Sequence, residues 1–215
     1  MILYGSSFSP FVRKVMVYAA ERGIALDFET NIFPNPSAAF LKASPLRKMP
    51  ALTDGDFSIA DSTAIITYLE AKMPEGALLP AAPEARARTI WYEEYADTVM
   101  IQVVSKAFFN RIVAPKFLGL PCDEAAAMEG EAVLLPPILD YLETLVPAAG
   151  KFLVGDTLTL ADIAVANSFI NFKEAHIVID SMKYPKITAW VSSILARPSF
   201  APIIAQEVAM LTKIG

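Results

Sequence analysis

Two observations divide this chain into an α/β module followed by an all-helical half. Strand-like runs occur only ahead of residue 61, and a passage with prolines at 74, 80 and 83 separates them from sequence that is helical in pattern to the end. The expected boundaries are residues 1–75 for the first part, 76–83 for a linker and 84–215 for the second. At 215 residues the chain is long enough for one or two domains with a sizeable core.

Taken in order, Ile2-Leu3-Tyr4 reads as a short strand and Gly5-Ser6-Ser7-Phe8-Ser9 as a turn. Ser9 suits the cap of a helix whose first position is Pro10. Phe11, Val15, Tyr18 and Ala19 recur at helical spacing, and Gly23 closes that helix. Residues 25–30 form a second strand, so the opening is β-α-β, which favours a parallel pair. A loop at 31–37 leads to one or two helical turns at 38–43.

The stretch 48–62 is the densest in signals. Pro50 opens a strand, where a missing N–H is tolerated. Asp54-Gly55 stands between two short apolar runs and predicts a hairpin. Asp61 or Ser62 caps a helix over 62–72. A helix that starts directly off a strand presents unpaired N–H groups and a partial positive charge, a ready seat for a carboxylate.

Beyond the linker the pattern predicts a long helix from 84 to about 113, with Trp91, Tyr95, Val99, Val103 and Phe108 on its apolar positions and Pro115 as its stop. A second helix over 123–145 is kinked at Pro136-Pro137. Thr159 and Asp162 form a variant capping box ahead of an apolar helix. Shorter helices at 184–196 and 199–211 are separated by Arg197-Pro198. There is no internal repeat and no low-complexity segment.

Composition narrows the function classes. With 23 acidic and 18 basic residues the net charge is −5, and no basic stripe is present, which argues against nucleic acid. No apolar run reaches the roughly 18 residues of a membrane span. No basic segment precedes an apolar one at the start, so a mature protein from Met1 without a secretory signal is expected. Cys122 is the single cysteine, which excludes an internal disulfide and fits a reducing, cytoplasmic setting. One histidine and one cysteine argue against a metal site, and a histidine-dependent triad would have to use His176. The apolar fraction of 54% favours a buried homo-oligomeric interface.

Four pieces of sequence carry a resemblance. They are Ser9-Pro10-Phe11-Val12-Arg13-Lys14-Val15, Lys48-Met49-Pro50, Asp61-Ser62, and Gly155-Asp156-Thr157-Leu158-Thr159-Leu160-Ala161-Asp162. Each is weak alone, but in this order and spacing the chain resembles the cytosolic glutathione transferases over essentially its whole length. The resemblance implies a thioredoxin-like α/β N-terminal domain, an all-α C-terminal domain, glutathione as co-substrate without a metal, a small hydrophobic electrophile and a homodimer.

The same resemblance implies roles for residues. Ser9 would touch the glutathione sulfur, in surroundings most similar to the serine-using tau and zeta classes; Ser6 and Ser7 share its turn and remain alternatives. A free thiol with a pKa of about 8.5 is only a few per cent thiolate at pH 7, and each unit of lowering needs roughly 1.4 kcal/mol of preferential thiolate stabilisation. A hydroxyl at a helix N-terminus can supply part of that. Pro50 would be cis, leaving the Met49 backbone to pair with the cysteinyl part. Ser62 would hold the γ-glutamyl carboxylate with Asp61 near the amino group, Asp replacing the commoner Glu, and Lys42 and Lys48 would meet the glycyl carboxylate. Phe8, Phe11, Phe33, Phe108 and Ile112 are candidates for an apolar electrophile cleft. Two rival functions stay open: a glutathione-dependent isomerase of the maleylacetoacetate type, whose serine-cysteine pattern Ser6-Ser7-Phe8-Ser9 only partly echoes, and a non-catalytic binding or scaffolding module.

Overall fold

A computed structural model describes residues 1–30 and 35–214. Phe33 and most of the turn-forming run before Ser37 therefore lie outside the described residues. The chain divides into two compact units, Met1–Leu79 and Pro80–Gly215.

The first unit is built on a four-stranded sheet in the order β2-β1-β3-β4. Its strands are β1 (Ile2–Tyr4), β2 (Asp27–Glu29), β3 (Ala51–Asp54) and β4 (Phe57–Ala60). β1 runs parallel to β2 and antiparallel to β3, and β3 runs antiparallel to β4. Helices α1 (Pro10–Glu21), α2 (Ala38–Ala43) and α3 (Ser62–Lys72) complete the unit. This is the β-α-β-α-β-β-α order expected of a thioredoxin-like module, although β2 is shorter than the expected 25–30. The core takes Leu3 from β1, Val12, Val15 and Tyr18 from α1, Leu52 from β3, and Ile65, Ile66 and Leu69 from α3, all fully buried. Burial of such side chains contributes roughly 1.5–3 kcal/mol each.

The hairpin turn corrects the expected centre by one residue. Asp54 pairs with Phe57, so the two loop residues are Gly55 and Asp56. Gly55 takes the position that needs a positive φ, at +59°, where a Cβ would be strained. Asp54 stays in the strand, and its carboxylate accepts from Tyr68 Oη at 2.7 Å and from Lys72, tying the hairpin to α3.

The second unit contains no strand among the described residues. Its long helical run begins at α4 (Pro83–Glu94) and continues through a π-helical segment (Tyr95–Met100), α5 (Ile101–Val103) and a second π-helical segment (Val104–Phe117). Pro115 does not stop it outright. The proline lies exposed in the last turn and the helix ends two residues later, where Leu118 N–H still reaches Val113 O at 3.2 Å. Next come α6 (Glu124–Glu129), a π-helical segment (Gly130–Leu134) and α7 (Leu135–Leu145). Pro136 and Pro137 sit in the first turn of α7, directly after the π-helical segment.

At the centre of this unit is α8 (Leu160–Glu174), buried from Leu160 to Phe172 and packed by α4, the Val104–Phe117 segment and α9 (Pro185–Leu195). A helix covered on every side must be apolar around its whole circumference, and this one nearly is. Its start carries the expected capping box: Asp162 Oδ2 accepts from Thr159 N–H at 2.9 Å and from the Thr159 hydroxyl at 3.1 Å, and Oδ1 accepts from Leu153 N–H at 2.7 Å. The last helix, α10 (Ala201–Ile214), starts two residues later than expected and runs three further. Among the described residues no helix is long and apolar enough to cross a membrane.

Candidate functional site

Strand register decides where the sequence-predicted residues meet. Tyr4, Ala51 and Ala60 form one row across β1, β3 and β4. The turn 5–9 follows Tyr4, Met49-Pro50 precedes Ala51, and Asp61-Ser62 follows Ala60, so all three pieces leave the sheet at one edge. The ladder extends one step beyond the strands at each end of this row. Asp61 N–H donates to Pro50 O at 3.1 Å, and Gly5 N–H donates to Glu29 O at 3.0 Å.

The Met49–Pro50 peptide is cis. Met49 is half-buried against the cluster of Tyr4, Phe40, Ala43 and Ala51, which anchors its side chain and fixes the loop by the core side. A brace that sequence reasoning missed holds the other side. The Ser44 hydroxyl donates to Lys48 O at 2.6 Å and accepts from Lys48 N–H at 3.0 Å, and Ser44 is 1% exposed. A serine just past a short helix gives no signal of this in sequence.

The two helix starts at the edge are built differently. Asp61 caps α3 with its own side chain, Oδ1 accepting from Thr63 N–H at 2.9 Å and Ala64 N–H at 3.0 Å. Its backbone stands at φ +86°, ψ 131°, a region that costs a non-glycine residue on the order of 1–3 kcal/mol. Ser62, the first residue of α3, is buried. Ser9 occupies the cap position of α1 at φ −75°, ψ 123°, with its carbonyl accepting from Arg13 N–H at 2.9 Å, yet its side chain makes no capping hydrogen bond. The sequence reading joined capping and thiol contact in one hydroxyl; the structure leaves that hydroxyl out of the cap.

Residues 3–77 match the family model described as glutathione S-transferase, N-terminal domain, and residues 123–206 match glutathione S-transferase, C-terminal domain. A glutathione S-transferase of Hyoscyamus muticus is 30% identical over 95% of this chain and 97% of its own. The chain belongs to the glutathione S-transferase family. Two solved family members share the fold. The glutathione S-transferase of Rhodospirillum rubrum F11 has a TM-score of 0.82 at 27% identity, covering 94% of this chain and 90% of its own. That of Methylobacterium radiotolerans JCM 2831, solved in complex with glutathione sulfonate, has a TM-score of 0.76 at 25% identity, covering 94% and 93%.

The remaining candidates fall as follows. Lys42, in the last turn of α2, and Lys48 are exposed. Phe11 is half-buried on α1, and Phe8 is buried at 5% exposure. Phe108 and Ile112, on the second unit's Val104–Phe117 segment, are 4% and 1% exposed. Arg13 and Lys14 are both buried within the first two turns of α1, which no spacing argument had suggested. Cys122 is exposed, and its thiol is pushed up by the cost of desolvation and by the Glu124 carboxylate beside it, the opposite of an activated thiol. His176 is exposed just past α8 at φ +62°. No cluster of metal-ligating side chains occurs among the described residues.

Proposed function

We propose that this member of the glutathione S-transferase family is a serine-type enzyme that binds glutathione along the β1/β3/β4 edge and activates its thiol for attack on a hydrophobic electrophile. The observation that carries this reading is the uncapped Ser9 hydroxyl at a helix start that shares its sheet edge with the cis-Pro50 loop and the Asp61-Ser62 turn. Glutathione lies with its cysteinyl backbone against Met49, its γ-glutamyl carboxylate at Ser62 and the start of α3, and its amino group near Asp61. Lys48 and Lys42 face the glycyl carboxylate. The Ser9 hydroxyl donates to the sulfur and stabilises the thiolate together with the partial positive charge of the α1 N-terminus.

The complex of the Methylobacterium radiotolerans relative with glutathione sulfonate supports the ligand class. Phe11 is proposed to meet the electrophile, and Phe33, Phe108 and Ile112 stay candidates from sequence alone. The chain is proposed to work in the cytoplasm as a homodimer; a solution mass equal to the single 23.4 kDa chain would contradict the dimer.

Replacing Ser9 by Ala tests the reading. Conjugation to an aryl chloride electrophile is expected to fall roughly 10²–10³-fold, the usual effect of deleting one donor to a developing anion, with the fold intact by circular dichroism. Activity within twofold of wild type would remove Ser9 from the mechanism. Retention on immobilised glutathione without turnover would instead favour the non-catalytic binding module.

A further inference from the structure

The helices that begin at Ser9 and Asp61 are joined again at their far ends. Tyr18 lies nine residues after Ser9, and Glu70 lies nine residues after Asp61. At 1.5 Å per residue each arm is roughly 13–14 Å long. β1 and β4 are each antiparallel to β3 and so run the same way; α1 and α3 therefore leave one sheet edge in the same sense, and they pack on each other. The Tyr18 hydroxyl donates to Glu70 Oε1 at 2.9 Å. The join thus sits the same number of residues from each cap.

Apolar contact between helices is non-directional and does not by itself choose one sliding register. The Glu70 carboxylate does, because it takes four donors from two segments at once. Besides Tyr18, Oε1 accepts from Arg22 Nη1 at 3.3 Å, from Leu78 N–H at 2.8 Å and from Leu79 N–H at 3.3 Å. Arg22 in turn donates to Tyr18 Oη, to Met73 O and to Glu75 O, the last at 2.8 Å. The side chains of Arg22 and Glu70 are only 2% and 8% exposed, where directional polar contacts are little screened.

From this arrangement we infer that Glu70 is a positioning residue for the thiol site, setting the height of Asp61-Ser62 against Ser9 through the length of α3. The inference rests on the reading above, in which glutathione is held by its carboxylate at Ser62 and by its sulfur at Ser9. If α3 slides, a tripeptide anchored at Ser62 carries its sulfur away from the Ser9 hydroxyl. The thiol then loses its donor while the chemistry of every contact residue is unchanged.

The test compares Glu70→Gln and Tyr18→Phe with Asp162→Asn, a change in the second unit that touches none of these hydrogen bonds. The readouts are the pH profile of kcat, the KM for glutathione and the thermal midpoint. Glu70→Gln is expected to raise the apparent pKa in the kcat profile by about one unit and to raise the KM several-fold. Asp162→Asn is expected to alter the midpoint and leave both kinetic readouts in place. A folded Glu70→Gln enzyme with wild-type pKa and KM overturns the inference, whatever its midpoint. Should Glu70→Gln fail to fold, Tyr18→Phe must show a smaller shift in the same direction, and no shift overturns it equally. If the wild type neither binds nor uses glutathione, the functional reading fails, and amide hydrogen exchange then decides the positioning role. Thr63 and Ala64 must exchange roughly 10-fold faster in Tyr18→Phe while α8 amides keep their protection; equal protection of Thr63 and Ala64 overturns it.

Discussion

Asp61 spends its carboxylate on two N–H groups of its own helix, whereas Ser9 reaches the cap position through backbone bonds and keeps its hydroxyl out of the cap. That contrast is what the proposed reading uses, with a carboxylate anchored at the α3 start and a sulfur handled at the α1 start. Ser44 supports the third piece of the edge. Ser44→Ala removes the brace on Lys48 and is expected to cost about 0.5–1.5 kcal/mol of stability. It should also raise the KM for glutathione, because the Met49 backbone loses its support; an unchanged KM in a destabilised variant would show that the loop holds its shape without it. Asp162 is a different case, a buried carboxyl whose proton is held above the usual range because desolvation outweighs its three hydrogen bonds. A raised folded pKa means that this group's contribution is complete below the ordinary aspartate value of about 4 and is lost as pH rises through the folded value. The stability gap between wild type and Asp162→Asn should therefore narrow from pH 4 upward in urea titrations, and a gap that widens with pH would reverse the assignment.

Among elements, the boundaries of α2 and α3 could be read from sequence because caps and prolines mark them. Ser37 accepts from Phe40 N–H at 3.1 Å, and Asp61 caps the helix starting at Ser62. The hairpin was legible as a turn but not to the residue, since Asp54-Gly55 and Gly55-Asp56 are both acceptable turn pairs and only the pairing of Asp54 with Phe57 separates them. The π-helical segments and the Tyr18–Arg22–Glu70 join were not legible. The join depends on contacts between residues distant in sequence, which no local pattern encodes. Gly130 shows such a contact. A Cβ there would lie 2.9 Å from Lys106 Cβ and 3.3 Å from the Ala107 nitrogen, so two helical segments approach closely at this point. Neither neighbour is the end of a flexible side chain. Gly130→Ala is expected to destabilise the protein by about 1–3 kcal/mol. A denaturation midpoint equal to wild type would show that the crossing can open without cost.

For the molecule as a whole, the division of labour follows from where each kind of pattern occurs. Four short strands in the first unit bring three separate loops to one sheet edge, where Ser9, Pro50 and Asp61-Ser62 meet; in sequence only the family resemblance had grouped them. The electrophile side was less legible, because aromatic residues at helical spacing look alike whether they pack inside or line a cleft. Phe108 and Ile112 are buried, and Phe11 is half-buried. The central claim, that a serine at a helix start makes glutathione ionise, concerns one proton. The most direct measurement is a pH titration of the thiolate absorbance of bound glutathione in wild type and in Ser9→Ala. The account predicts a wild-type midpoint at least about one unit below the free-thiol value near 8.5, and a return toward that value in the variant. Identical midpoints in the two proteins, or a wild-type midpoint at the free-thiol value, would contradict it.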